Sequence, residues 1–339
     1  MDRAVRSFKH NVVEGRFVGF VVAIVVIALR VLMFLNGELR QNEFSDAGYV
    51  WKFLAPFFSD QRISFAASTL SVFIIAGIVS QLNRRFNLIR THTSLPFIVP
   101  LVLFSLHPYF LQMIPDFVAV FFMLWALFPL LNSYHQSEPQ LFAFQAAVLI
   151  GIAGVFQIYA LLLLPLWWRG EMMMRGFKFK SFVASLIGVG LVYWLVFALL
   201  VFLGSVDTFV VPFDFITRLS VVQFSRFSVS QWIITGMIFV LLLTFIILVH
   251  RKSSRDKVLT QIFLGFLNFV IICTLVLQML YGSSTLFWLT IALALLSFLI
   301  AYYYSSVESK WQVYSFYLIF GAFILIYCVH YFSIMPTFL

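Results

Sequence analysis

Apolar residues dominate this chain in runs, and the runs set its architecture. Stretches of about 17–23 apolar residues recur from end to end, the length that crosses a ~30 Å hydrocarbon layer at 1.5 Å per residue. Spans are predicted near residues 17–35, 63–82, 95–110, 116–131, 141–156, 158–168, 181–204, 231–249, 259–281, 285–304 and 314–334. The predicted fold is an all-α polytopic transmembrane bundle of about eleven spans, one domain over residues 1–339. No polar stretch between the runs is long enough to fold by itself.

The polar interruptions sharpen this outline. Gly151, Gly154, Gln157 and Pro165 break the fifth and sixth runs, which are short and nearly continuous. Such a pair predicts a re-entrant or tightly turned hairpin with its turn near Gln157, because freed backbone groups inside a membrane must be satisfied by protein or water. The third run is also short and ends in Ser105-Leu106-His107-Pro108-Tyr109. Within the first long polar loop, Phe44, Ala47, Trp51, Leu54 and Phe58 recur at helical spacing. They predict a short amphipathic helix in the outer interface or a packed loop.

Charge then sets the orientation. The 339 residues are 63% hydrophobic and 10% charged, and the net charge is +9. Threading the spans alternately from a cytoplasmic N-terminus places 16 of the 22 Lys and Arg on the inner side. They cluster at residues 3–16, 84–90, 169–180 and 251–257, with Lys310. This positive-inside bias turns the basic balance into a topology signal and an affinity for anionic headgroups, with no call for nucleic acid. The first run is longer than a signal-peptide core and enters Asn36-Gly37-Glu38-Leu39-Arg40 without a small-residue cleavage pattern, so an uncleaved helix is expected. Cys273 and Cys328 lie in apolar runs, where packing is expected of them.

Seven carboxylates fall on the outer side: Glu38, Glu43, Asp46, Asp60, Asp116, Asp207 and Asp214. Asp46, in Ser45-Asp46-Ala47-Gly48-Tyr49, is placed to act as a general base or to cap the interfacial helix. Asp116 follows Pro115 at the start of the fourth span, on the same side, where a dipole-stabilised cap is the alternative to a functional role. Arg30 sits near the outer end of the first span and is expected to snorkel outward or to meet a lipid phosphate from within the bundle. The six histidines are scattered, with no His-x-x-His or His-x-x-x-His pair, which argues against multi-histidine oxygenase chemistry. Walker-type, Cys-x-x-Cys and His-Glu-x-x-His motifs are missing from the sequence.

From about residue 95 to 170 the chain reads Leu95-Pro96, Phe104-Ser105-Leu106-His107-Pro108-Tyr109, Ile114-Pro115-Asp116, a long apolar span, Gly151-Ile152-Ala153-Gly154, Tyr159-Ala160 and Leu164-Pro165-Leu166-Trp167-Trp168. This succession resembles the core of GT-C-type, polyprenyl-phosphate-sugar-dependent glycosyltransferases. The resemblance extends over about residues 16–204, leaving 231–334 as additional helices. It implies that Asp46 and Asp116 are catalytic and that Tyr49, His107, Arg218 and Arg226 bind substrate. A divalent cation would be a compatible cofactor. The implied partners are membrane lipids, a polyprenyl-phosphate sugar and other envelope membrane proteins, in a bacterial inner membrane. The first loop carries a single Asp where those enzymes usually have paired acids. The whole chain also looks like a family of Bacteroidota inner-membrane proteins of similar length and helix plan, from which no activity carries over. The competing expectation is a non-catalytic accessory subunit of an envelope assembly with the same helix core.

Overall fold

The computed structural model describes residues 3–15, 17–36, 46–222 and 229–334. The helices are α1 (Arg3–Phe8), α2 (Val18–Asn36), α3 (Tyr49–Leu54), α4 (Gln61–Phe86), α5 (Leu95–Leu103), α6 (Pro115–Asn132), α7 (Gln140–Phe156), α8 (Leu164–Arg175), α9 (Phe179–Phe202), α10 (Val211–Thr217), α11 (Val229–Ser253), α12 (Val258–Leu280), α13 (Thr285–Ser305) and α14 (Lys310–Ile334). Among the described residues, eight helical stretches are long and apolar enough to cross a membrane, as in a multi-pass membrane protein. They lie in α2, α4, α6, α9, α11, α12, α13 and α14.

Burial ranks them. In α13 83% of the apolar window is enclosed, against 17% in α2, so α13 is central and α2 peripheral. A helix apolar on every side belongs at the centre of a bundle or in lipid, and this protein uses both settings. Large side chains such as Leu186, Leu191 and Trp194 of α9 remain on the outside.

Three predicted spans are irregular. The third is reduced to the nine-residue α5. Pro100 lies inside it, and beyond Phe104 the chain turns into a 3-10 segment, Pro108–Leu111. The fifth and sixth form the predicted hairpin, but with fewer breaks. Gly151 and Gly154 lie within continuous α7, where they are packing notches: a Cβ on Gly154 would come 2.7 Å from the Tyr193 hydroxyl. The helix stops only at Gln157, whose backbone is extended, before a 3-10 segment Ile158–Leu163 and α8, with Pro165 in its first turn. The return is fixed at the far end, where Arg175 donates to the Pro139 carbonyl at 3.3 Å and Lys178 to that of Ser137 at 2.8 Å. Both acceptors precede α7, so α8 runs back alongside it.

The contacts sort the helix ends into two faces, here named inner and outer after the orientation the charges predict. On the inner face Arg90 pairs with Asp256 at 3.1 Å, and Lys252 donates to the carbonyls of Tyr303 and Ser306 at 2.7 and 2.8 Å. Phe8 of α1 packs edge-on against Phe316 of α14 there. On the outer face Asn36 donates to the Tyr331 hydroxyl, and Ser220 to Ser283.

Arg30 departs from expectation. It neither snorkels nor meets lipid; it is fully enclosed, tying α2 to α4 and to the break after α5. Its guanidinium donates to Ser68 (3.0 Å), Thr69 (3.1 Å) and the carbonyls of Phe104 (3.0 Å) and Phe110 (2.8 Å). The two carbonyls belong to the stretch where helical pairing fails, so the arginine supplies the donors that the broken helix lacks.

Candidate functional site at the outer end

The outer site begins with the end of α7. Because Gln157 is extended, its backbone pairs with Ala47 in an isolated antiparallel bridge, and the Gly48 N–H donates to the Phe156 carbonyl at 2.8 Å. Gly48 is needed there, since a Cβ would collide with the Val155 carbonyl. This contact holds the neighbouring Asp46 against the hairpin turn.

Asp116 arrives from the first turn of α6 and is almost completely buried, at 2% exposure. It caps nothing. One oxygen accepts from the Tyr109 hydroxyl at 3.0 Å, the other from the Gln157 side-chain amide at 3.0 Å. Gln157 therefore joins both acids, through its backbone to the Asp46 loop and through its side chain to Asp116. The charge of Asp46 is felt at Asp116, Tyr109 and Tyr159.

Asp46 itself is half-buried in a turn. It is not a helix cap either, because Gly48 occupies the N-cap of α3. Burial pushes its carboxyl above the usual carboxylate range, opposed by a hydrogen bond from its own backbone. The interfacial helix is shorter than its pattern predicts: α3 covers 49–54 and a 3-10 turn Ala55–Phe58 follows, with Trp51 stacked on Phe58 at 5.6 Å. Ala47 is in the bridge instead, and Phe44 lies outside the described residues.

The proposed binding residues divide. The Tyr49 hydroxyl donates to the Phe209 carbonyl, pinning the second outer loop to the first. The ring of His107 accepts from the Tyr109 N–H at 3.1 Å and lies 4.6 Å from that of His330, so it helps to aim the tyrosine that meets Asp116. Arg218 is exposed at the end of α10 and, among the described residues, pairs with neither acid. Arg226 lies outside the described residues.

No protein-family model matches this chain, and no curated protein or solved structure matches it.

A divalent cation finds a poor set of ligands here. Among the described residues no three His, Cys, Asp or Glu come together as a metal site, and the oxygens of Asp116 already face Tyr109 and Gln157. Sequence reasoning missed Tyr109 and Gln157 as partners of the acid. The signal available was a lone glutamine amid apolar residues, a costly placement that calls for a polar partner.

Proposed function

We propose that this protein is a GT-C-like glycosyltransferase of the bacterial inner membrane, crossing it about eleven times and using a polyprenyl-phosphate sugar on the outer side. The observation that carries the reading is that Gln157 donates to Asp116, which also accepts from Tyr109, while the Gln157 backbone pairs with Ala47 beside Asp46 at the outer end. Asp46 takes the proton from an acceptor hydroxyl as that oxygen attacks the anomeric carbon. The carbon–oxygen bond to the lipid phosphate breaks, and the phosphate leaves with the bonding pair. A raised carboxyl pKa suits a base that works near neutral pH. Asp116, enclosed and hydrogen-bonded, holds Tyr109 and Gln157 in place beside the Asp46 loop. Arg218 or Arg226 serves the departing phosphate, as electrostatic stabilisation of a leaving group requires.

The test is Asp46→Asn in the native host, read as accumulation of lipid-linked saccharides with the variant protein present in the membrane at its normal level. Accumulation supports the transferase. An unchanged saccharide pool favours the second reading, a non-catalytic subunit of an envelope assembly. The burial of Asp116, and the lack of an ion pair between Arg218 and either acid among the described residues, speak for that alternative.

A further inference from the structure

The outward stripe of α4 has a recess that the outer site does not use. Its floor and rim are Ile74, Gly77, Ile78, Gln81 and Arg84, and it is open rather than enclosed. A Cβ placed on Gly77 would have no atom within 4 Å, so the missing side chain leaves a true notch in the helix surface. Ile74 and Ile78 give it apolar walls. Gln81 and Arg84 lie exposed toward the inner end, among the basic residues of the α4 C-terminus. At 1.5 Å rise per residue, Gly77 lies about 10 Å deeper in the bilayer than Arg84. That offset is the one between a lipid phosphate and the upper part of its acyl chain.

The charges select the occupant. Among the described residues Arg84 has no acidic partner; its guanidinium folds back along the helix to the Ser80 hydroxyl at 3.1 Å. Arg85 adds a second unpaired cation, lying over the rings of Phe86 and Phe128 at 5.8 Å from each. A second copy of the chain would bring its own basic inner end to this level, and like charges would oppose it. An anion at the membrane surface meets both arginines favourably. We propose that the recess at Gly77 binds one anionic phospholipid of the inner leaflet, its phosphate at Arg84 and Gln81 and one acyl chain in the notch between Ile74 and Ile78.

The test is native mass spectrometry of the full-length protein titrated with phosphatidylglycerol, with phosphatidylcholine of the same chains, and with inorganic phosphate alone. Wild type should retain phosphatidylglycerol in preference to phosphatidylcholine. Arg84→Gln should lower phosphatidylglycerol retention about fivefold, the effect of one basic residue at an anionic surface, and Arg84→Lys should keep most of it. Gly77→Leu, which fills the notch and leaves the charge, should lower retention of both lipids. Both positions face outward, so gel filtration should be unchanged. Equal retention by Arg84→Gln and wild type overturns the proposal. So does normal retention by Gly77→Leu, which would mean diffuse charge attraction, or displacement of the lipid by inorganic phosphate, which would mean a simple anion site.

Discussion

The two ends of the bundle solve the problem of polar groups in opposite ways. At the inner end charges of both signs meet: the exposed Arg90 pairs near water with Asp256, which also accepts from the Tyr302 hydroxyl, and Arg175 pairs with Glu171 at 2.7 Å one turn away, an enclosed pair but one of opposite charges. Helices there run to their ends and reverse through short polar turns. At the outer end α5 and α7 stop early, and the polar groups are buried. Arg30 is held by hydroxyls and carbonyls, and Asp116 accepts hydrogen bonds from neutral donors. The difference marks the outer end as the more specialised of the two. Surface ion pairs can be traded at little cost, whereas a buried ion held by neutral partners persists only where the surrounding structure is built for it.

That contrast breaks most visibly at Arg30. Arg30→Leu strands the carbonyls of Phe104 and Phe110 without donors, and the protein should lose roughly 2–6 kcal/mol, from about 1–3 for each buried acceptor left unsatisfied. Thermal unfolding in detergent reads it. A loss within 1 kcal/mol would mean that the break after α5 does not depend on the arginine.

Gly48→Ala comes next. Its Cβ meets backbone that cannot rotate away, so the bridge between the first outer loop and the hairpin turn must shift. The expected loss is about 1–3 kcal/mol, together with increased proteolysis near residues 46–50, while trimming at the inner loops stays as in wild type.

A smaller effect should follow pH at Asp46. Its folded-state pKa is raised by burial, so the protonated acid favours folding. That contribution is complete below the ordinary carboxylate range, near pH ~4, and is lost as pH rises through the folded-state value. The melting temperature of wild type should therefore fall relative to Asp46→Asn as pH climbs from that range. Parallel curves would show that Asp46 titrates as if in water.

The smallest change belongs to the inner end. Arg90 is 62% exposed in its side chain, so Arg90→Ala should cost no more than about 1 kcal/mol. The loss should shrink further in high salt, measured by the same unfolding curves.

Much of this was legible in the sequence because apolar length and charge segregation are robust signals. The eight long spans fall where the runs place them, and Gln157 marks the hairpin turn as its polarity foretells. Local chemistry was harder to read. Gly151 and Gly154 look like breakers on paper, yet a glycine inside a helix can equally be a place for a neighbour, here Tyr193. Arg30 has the reach to snorkel, and only tertiary structure reveals the carbonyls that retain it. The carboxylates could be nominated, but Tyr109 and Gln157 depend on long-range folding, as does the tight passage at Gly48.

The central claim is that the hairpin turn and the first outer loop assemble one site. Ala47→Cys with Gln157→Cys, made after replacing Cys273 and Cys328 by Ser, tests it most directly. Facing residues of an antiparallel bridge lie about 4.5–5.5 Å apart between Cα atoms, within disulfide reach. With a protease site placed in the inner loop near Ser137, the oxidised double variant should stay as one band after cleavage and part only on reduction. Two fragments under oxidising conditions would contradict the claim, placing the Asp46 loop away from Gln157 and Asp116.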